Sequence, residues 1–200
     1  MAVKRGTTTM KRHLAVLALI ISRLSSLTIV VILGISSISC MHTQSISPPQ
    51  VPDNLRVPDG QAVLLKGLGK GVQIYVCKAK ADDPSKFEWS FKAPEADLTN
   101  EQGEKIAKHY AGPTWEASDG SKVIGEVQQK TDAPKPGAVP WLLLKAKSNE
   151  GAGTFGKVTY IQRVDTEGGV APAAGCDQAH TNTEARVDYQ ANYYFYVLGH

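Results

Sequence analysis

From Val187 to Val197 every second residue is apolar or aromatic: Val187, Tyr189, Ala191, Tyr193, Phe195 and Val197. A strand presents such a series to one face, whereas a helix would scatter it around its axis. The same period of two recurs upstream. Val72, Ile74 and Val76 alternate with Gln73, Tyr75 and Cys77, and Phe87, Trp89 and Phe91 alternate with Glu88, Ser90 and Lys92. Val123, Gly125 and Val127 mark another strand, as do Val158, Tyr160 and Val164, and Ile106 to Tyr110 fits one more. Trp141-Leu142-Leu143-Leu144 is a continuous apolar run, which predicts a strand buried on both faces. Turn-forming residues separate these segments at Asp82-Asp83-Pro84, Asn100 to Gly103, Asp119-Gly120 and Ala133 to Gly137. Pro94 to Lys108 has room for a helical turn. Eight or more short strands with turn signals between them predict an all-β fold, an antiparallel β-sandwich or flattened β-barrel.

The pattern does not begin at the N-terminus. All fourteen aromatic residues lie from Tyr75 onward, while residues 1–39 carry five basic residues and no acid. Lys4, Arg5, Lys11 and Arg12 precede two apolar segments, Leu14 to Ile21 and Leu27 to Ile35, with Arg23 between them. As a spanning helix this leader would place Arg23 near mid-membrane, at roughly 2.5 to 3.5 kcal/mol. As a signal peptide, Leu27 to Ile35 is an apolar core of ordinary length, and either Met1 or Met10 serves as the start. The expected organisation is a signal peptide over 1–39, a tether over 40–58 and a single β domain over 59–200. Pro48, Pro49, Pro52 and Pro58 give the tether a composition that stays extended and resists packing. Once the leader is set aside, 17 basic residues face 19 acidic ones. A nucleic-acid partner, which needs a basic surface to neutralise phosphates, is therefore not expected.

The leader runs into Ser37-Ile38-Ser39-Cys40, which resembles the lipobox of bacterial lipoproteins although Ser37 stands where Leu is usual. It implies acylation of Cys40 and a membrane partner through that anchor; otherwise the chain is cleaved near Ser39 and secreted. Three cysteines are an odd number for an exported chain. With Cys40 acylated, Cys77 and Cys176 remain, either joined or as two buried thiols, and an oxidising compartment favours the disulfide. No cysteine has a second one two to four residues away, so no Cys-based metal site is expected.

Several blocks, in order, are similar to a family catalogued as domain of unknown function 3455. They include Gly71 to Cys77, Trp89 to Ala96, His109 to Glu116, Val139 to Leu144, Val158 to Arg163, Thr166 to Gly169 and Gly175 to Asp177. The resemblance implies an exported domain whose two cysteine positions fit the proposed pair, and it implies no reaction, ligand or cofactor. Some fungal members carry a malate dehydrogenase label. Gly67, Gly69 and Gly71 precede a strand here, the wrong order for a dinucleotide-cradling loop.

Candidate function concentrates in His109-Tyr110-Ala111-Gly112-Pro113-Thr114-Trp115-Glu116 and the following Asp119-Gly120-Ser121. One expectation is architectural: a tight Gly112-Pro113 corner, Trp115 on the core, and His109 or Tyr110 hydrogen-bonding across the turn. A second is a binding surface, with Tyr110 and Trp115 as apolar faces and His109, Glu116 and Asp119 orienting a glycan or envelope polymer. A third is a metal-dependent enzyme or hydrolase using His109 with Glu116 or Asp119, joined by Asp177 and His180. It is weaker, because the spacing matches no ligand motif and Ser121 lacks a Gly-x-Ser-x-Gly elbow. A paired-carboxylate site from Glu95, Asp97, Glu116 and Asp119 needs an opposed geometry that sequence does not supply. No catalytic residue, metal or cofactor is assigned. The expected role is non-catalytic ligand or partner binding at the cell envelope, with a purely structural envelope protein as a further alternative.

Overall fold

A computed structural model describes residues 46–199. The predicted signal peptide and Cys40 lie outside the described residues. Eight antiparallel strands follow one another around a closed barrel. They are β1 Gln61–Ala79, β2 Phe87–Thr99, β3 Lys105–Tyr110, β4 Thr114–Ala117, β5 Lys122–Thr131, β6 Trp141–Glu150, β7 Tyr160–Gly168 and β8 Glu184–Leu198. Each pairs with its neighbours in sequence, and β1 closes the ring on β8, from Gln61 opposite Leu198 to Val76 opposite Glu184. Of the two expected architectures the barrel is the one formed. Pro94 to Lys108 holds the end of β2, a turn and the start of β3, with no helical turn. Thr114 to Ala117, expected only as part of a corner, is a strand in its own right.

The inner faces follow the pleat. On β8, Tyr189, Ala191, Tyr193 and Phe195 are buried and point to the barrel axis. On β1 the inward set is Gln73, Tyr75 and Cys77, while Val72 and Val76 of the same alternation are only half-buried. An eight-stranded barrel is just wide enough to be filled by side chains or to hold one small ligand. Large and small residues therefore face each other. Tyr193 lies over Gly69, where an added Cβ would come within 2.7 Å of its ring. Leu98, Ala107, Trp115, Val123, Leu144 and Phe195 complete one continuous core.

Bulges set which residues turn inward at one end. Between Ile74 and Tyr75 of β1 the register on β2 jumps from Ala93 to Phe91, leaving Lys92 as an extra residue. Pro94 and Phe91 consequently both face the interior, and Lys92 reaches out to pair with Glu184. A similar jump on β5 leaves Gln128 unpaired next to Val127.

The outer face of β6, β7 and β8 is covered as well. Tyr194 and Tyr196, on the opposite face from Tyr193 and Phe195, are 7% and 2% exposed, so both faces of β8 are buried and neither set is left in water. The cover includes Val51 and Val57 from the segment expected to resist packing. That segment contributes a short 3-10 turn, Asp53–Leu55, which buries Leu55 completely. The Gln162 side-chain amide donates to the Leu55 carbonyl at 2.6 Å, and Asn54 bonds Thr131 at 2.9 Å. Proline removes backbone donors without preventing apolar side chains between the prolines from docking. The same cover accounts for the predicted double burial of the Trp141 to Leu144 run: Leu144 faces the core and Leu143 lies beneath the outer layer, both buried.

Candidate functional site

Hairpin geometry divides the His109 to Asp119 stretch between two faces of the wall. Gly112, at φ +116°, makes the β3–β4 corner that few other residues tolerate. The register then places His109 opposite Trp115 and Lys108 opposite Glu116. His109 and Trp115 point into the barrel, 3% and 1% exposed, with their rings stacked at 4.2 Å and 6°. Tyr193 meets both edge-on, at 5.3 and 5.6 Å. Tyr110 and Glu116 lie outside, where the Tyr110 hydroxyl donates to the Glu116 carboxylate at 2.8 Å.

Asp119 is at the far end of β4 and has another task. Its Oδ1 accepts from the Ser121 N–H and hydroxyl at 2.9 and 2.6 Å, and its Oδ2 from the Thr154 N–H and hydroxyl, both at 2.7 Å. These donors, the Ser121 hydroxyl foremost, hold its carboxyl well below the usual carboxylate range. Asp177 and His180 bond each other at 2.7 Å on an exposed turn. The five predicted residues thus form no single surface, and His109 shares no centre with Glu116 or Asp119. The metal-dependent alternative loses its ligand set: among the described residues no three His, Cys, Asp or Glu side chains converge.

The inward pair instead forms one wall of a cavity of about 290 Å³ inside the barrel. Trp115, Tyr193, Leu142 and Leu144 give it an apolar lining, to which His109 and Arg163 add polar groups. It reaches the surface between Phe91 and Pro94 of β2, the Gly112-Pro113 corner and Val127 of β5. Phe91 and Val127 are 54% and 48% exposed. Exposed apolar side chains gathered at a cavity mouth are the usual mark of a ligand path.

The polar groups have defined states. The His109 Nδ1–H donates to the Thr114 carbonyl at 2.9 Å, which leaves Nε2 as an acceptor. Burial pushes the imidazole down to about 3, against the raising effect of that bond, and the nearby Arg163 charge adds to the fall. His109 is therefore neutral across physiological pH. Arg163 stands opposite Tyr193 on β8 and Leu142 on β6, and donates Nη2 and Nε to the Pro140 carbonyl at 2.8 and 3.2 Å. Burial raises the hydroxyls of Tyr75, Tyr189 and Tyr193, which keeps them protonated, and the Arg163 charge opposes that rise in all three. The Trp115 indole N–H has no acceptor among the described residues.

The β7–β8 loop is tied to β1 and β2. Cys77 on β1 is joined to Cys176 in the β7–β8 loop, so the predicted pair is present. The Trp89 indole also ties that loop down, donating to the Ala174 carbonyl at 2.9 Å.

The profile of a family described as a protein of unknown function (DUF3455) matches residues 58–197. The chain belongs to this family. The DUF3455 match covers all eight strands except the last residue of β8, Leu198, and every cavity-lining residue named above. No curated protein and no solved structure matches the chain.

Arg163 and the cavity escaped the sequence reading. Tyr160 and Val164 are the apolar set of their strand in the sequence, yet they face outward and Ile161 and Arg163 are the inward residues, while Val158 joins the core just ahead of β7. The usable signal was Arg163 in the phase of Ile161, facing a strand whose inward set is rich in tyrosine.

Proposed function

We propose that this DUF3455 member is a non-catalytic binding module that takes a small, largely apolar molecule into its barrel. The cavity between Trp115, Tyr193 and Arg163, opening beside exposed Phe91 and Val127, carries this reading. Such a site needs a preformed apolar interior with a few fixed polar groups, and ring stacking and strand pairing hold this one rigid. Neutral His109, its Nδ1 committed to a backbone carbonyl, acts here as wall and acceptor.

An uncharged fluorophore tests the idea. N-phenyl-1-naphthylamine is expected to bind saturably with one site per chain. Val127→Trp, which fills the mouth at an exposed position, is expected to weaken binding at least tenfold without lowering the melting temperature. Equal binding by both proteins, or none by the wild type, would overturn the reading.

The apolar leader and Ser37-Ile38-Ser39-Cys40 support a location at the cell envelope, with a lipid on Cys40 as the anchor. Cys40→Ser is then expected to move the chain from the membrane to the soluble fraction. Unchanged membrane association would refute the anchor.

A further inference from the structure

Resting on that binding reading, we infer that the molecule is an apolar anion, its negative group seated on Arg163 and its apolar body lying against Trp115, Leu142 and Leu144. Arg163 is a permanent cation inside a wall of aromatic and aliphatic side chains. Among the described residues no ion pair includes it. Arg163 is half-buried, where an unpaired charge is costly, and two bonds to the Pro140 carbonyl with a further one to the Tyr193 hydroxyl occupy only part of its five-donor fork.

The rest of the lining makes the imbalance sharper. Among the described residues no carboxylate borders the cavity, His109 is neutral, and the Trp115 N–H has no acceptor. Lys92 at the rim already has Glu184 as its partner, which leaves Arg163, among the described residues that line the cavity, as the cation outside any ion pair. The field of Arg163 is felt across the interior, since it opposes the burial-driven rise of Tyr75, Tyr189 and Tyr193. An anion with planar acceptor oxygens, such as a carboxylate, matches the guanidinium fork. A dianion does not suit the site, because one positive charge would have to hold two negative ones away from water. The ligand class is therefore a monoanion with an apolar body.

The test is a matched pair: 4-phenylbutyrate and 4-phenylbutan-1-ol, titrated into the full chain by calorimetry and by displacement of N-phenyl-1-naphthylamine. Wild type is expected to prefer the carboxylate by on the order of ten- to a hundredfold, as for other charge-assisted bonds. Arg163→Met is expected to remove the preference and leave alcohol binding in place, and Arg163→Lys to retain part of it. If wild type binds acid and alcohol equally, the anion assignment fails while the cavity reading stands. If the uncharged fluorophore does not bind either, both fail together. The wild-type comparison decides the matter even if an Arg163 variant does not fold.

Discussion

The two ends of the barrel are closed by different means, and the difference decides which of them is able to admit a molecule. At the end bounded by the β2–β3, β4–β5 and β6–β7 turns, the β6–β7 loop folds inward and inserts Phe155, 1% exposed, against Phe195 at 4.6 Å. Asp119 fixes that loop through Thr154, and the Ser121 hydroxyl accepts from the Phe155 N–H at 2.9 Å. Polar bonds from one carboxylate thus lock an apolar plug. At the other end the β7–β8 loop is stapled to β1 by a disulfide, and the arc between Phe91, Pro113 and Val127 stays open. A plug removes space from the interior, whereas a staple only limits where the loop can go.

Substitutions at the two ends should therefore behave differently. Phe155→Ala is expected to cost about 3 to 5 kcal/mol in chemical denaturation, as for other buried aromatic residues. A cost below about 1 kcal/mol would mean that the plug is not part of the core. Replacing Cys77 and Cys176 together by Ser is expected to cost about 2 to 5 kcal/mol, since the bond joins residues 99 apart. The β7–β8 amides should then exchange faster, with those of 151–157 unchanged. Equal acceleration in both loops would erase the contrast.

Acid probes the wall between the ends. Between pH 6.5 and about 3 the unfolded chain binds a proton at residue 109 that the folded chain does not, so stability falls as pH falls through that window. By pH 4.5 the loss is expected to reach about 2 to 3 kcal/mol. His109→Phe should flatten the slope between pH 6.5 and 4.5. The carboxylate of Asp119, depressed by its four donors, contributes below that range. The smallest effect is expected from Phe91→Ser at the mouth: within about 0.5 kcal/mol on stability, with weaker uptake of the fluorophore. A large loss of stability there would make the rim a structural element like the plug.

Local patterns were legible where one strand or turn carries its own signal. The last strand, the Asp119-Gly120 turn, the Gly112-Pro113 corner, the burial of Trp115 and the Cys77–Cys176 pair all follow from nearby residue types or from counting. Closure was not legible, because pairing β1 to β8 depends on residues more than a hundred positions apart. Bulges hid the phase: one extra residue at Lys92 switches the inward set of β2 from Phe87, Trp89 and Phe91 to Pro94, Ala96 and Leu98. In the central stretch, residue types suggested one site, but the pleat sends His109 and Trp115 inward and Tyr110 and Glu116 outward. Arg163 was hidden because a charged residue within a half-buried strand reads as solvent-facing.

The seam between β1 and β8 also carries a consequence in time. The first strand pairs with β2 on one side but finds its second partner only when the fifteen residues Glu184–Leu198 have been made. Until then its far side has no partner, and Tyr189, Tyr193 and Phe195 are missing from the interior. The barrel therefore cannot close before β8 has been made, and its dependence on distant pairings places it among the slower-folding topologies. That order of events keeps the interior incomplete until the final strand has emerged.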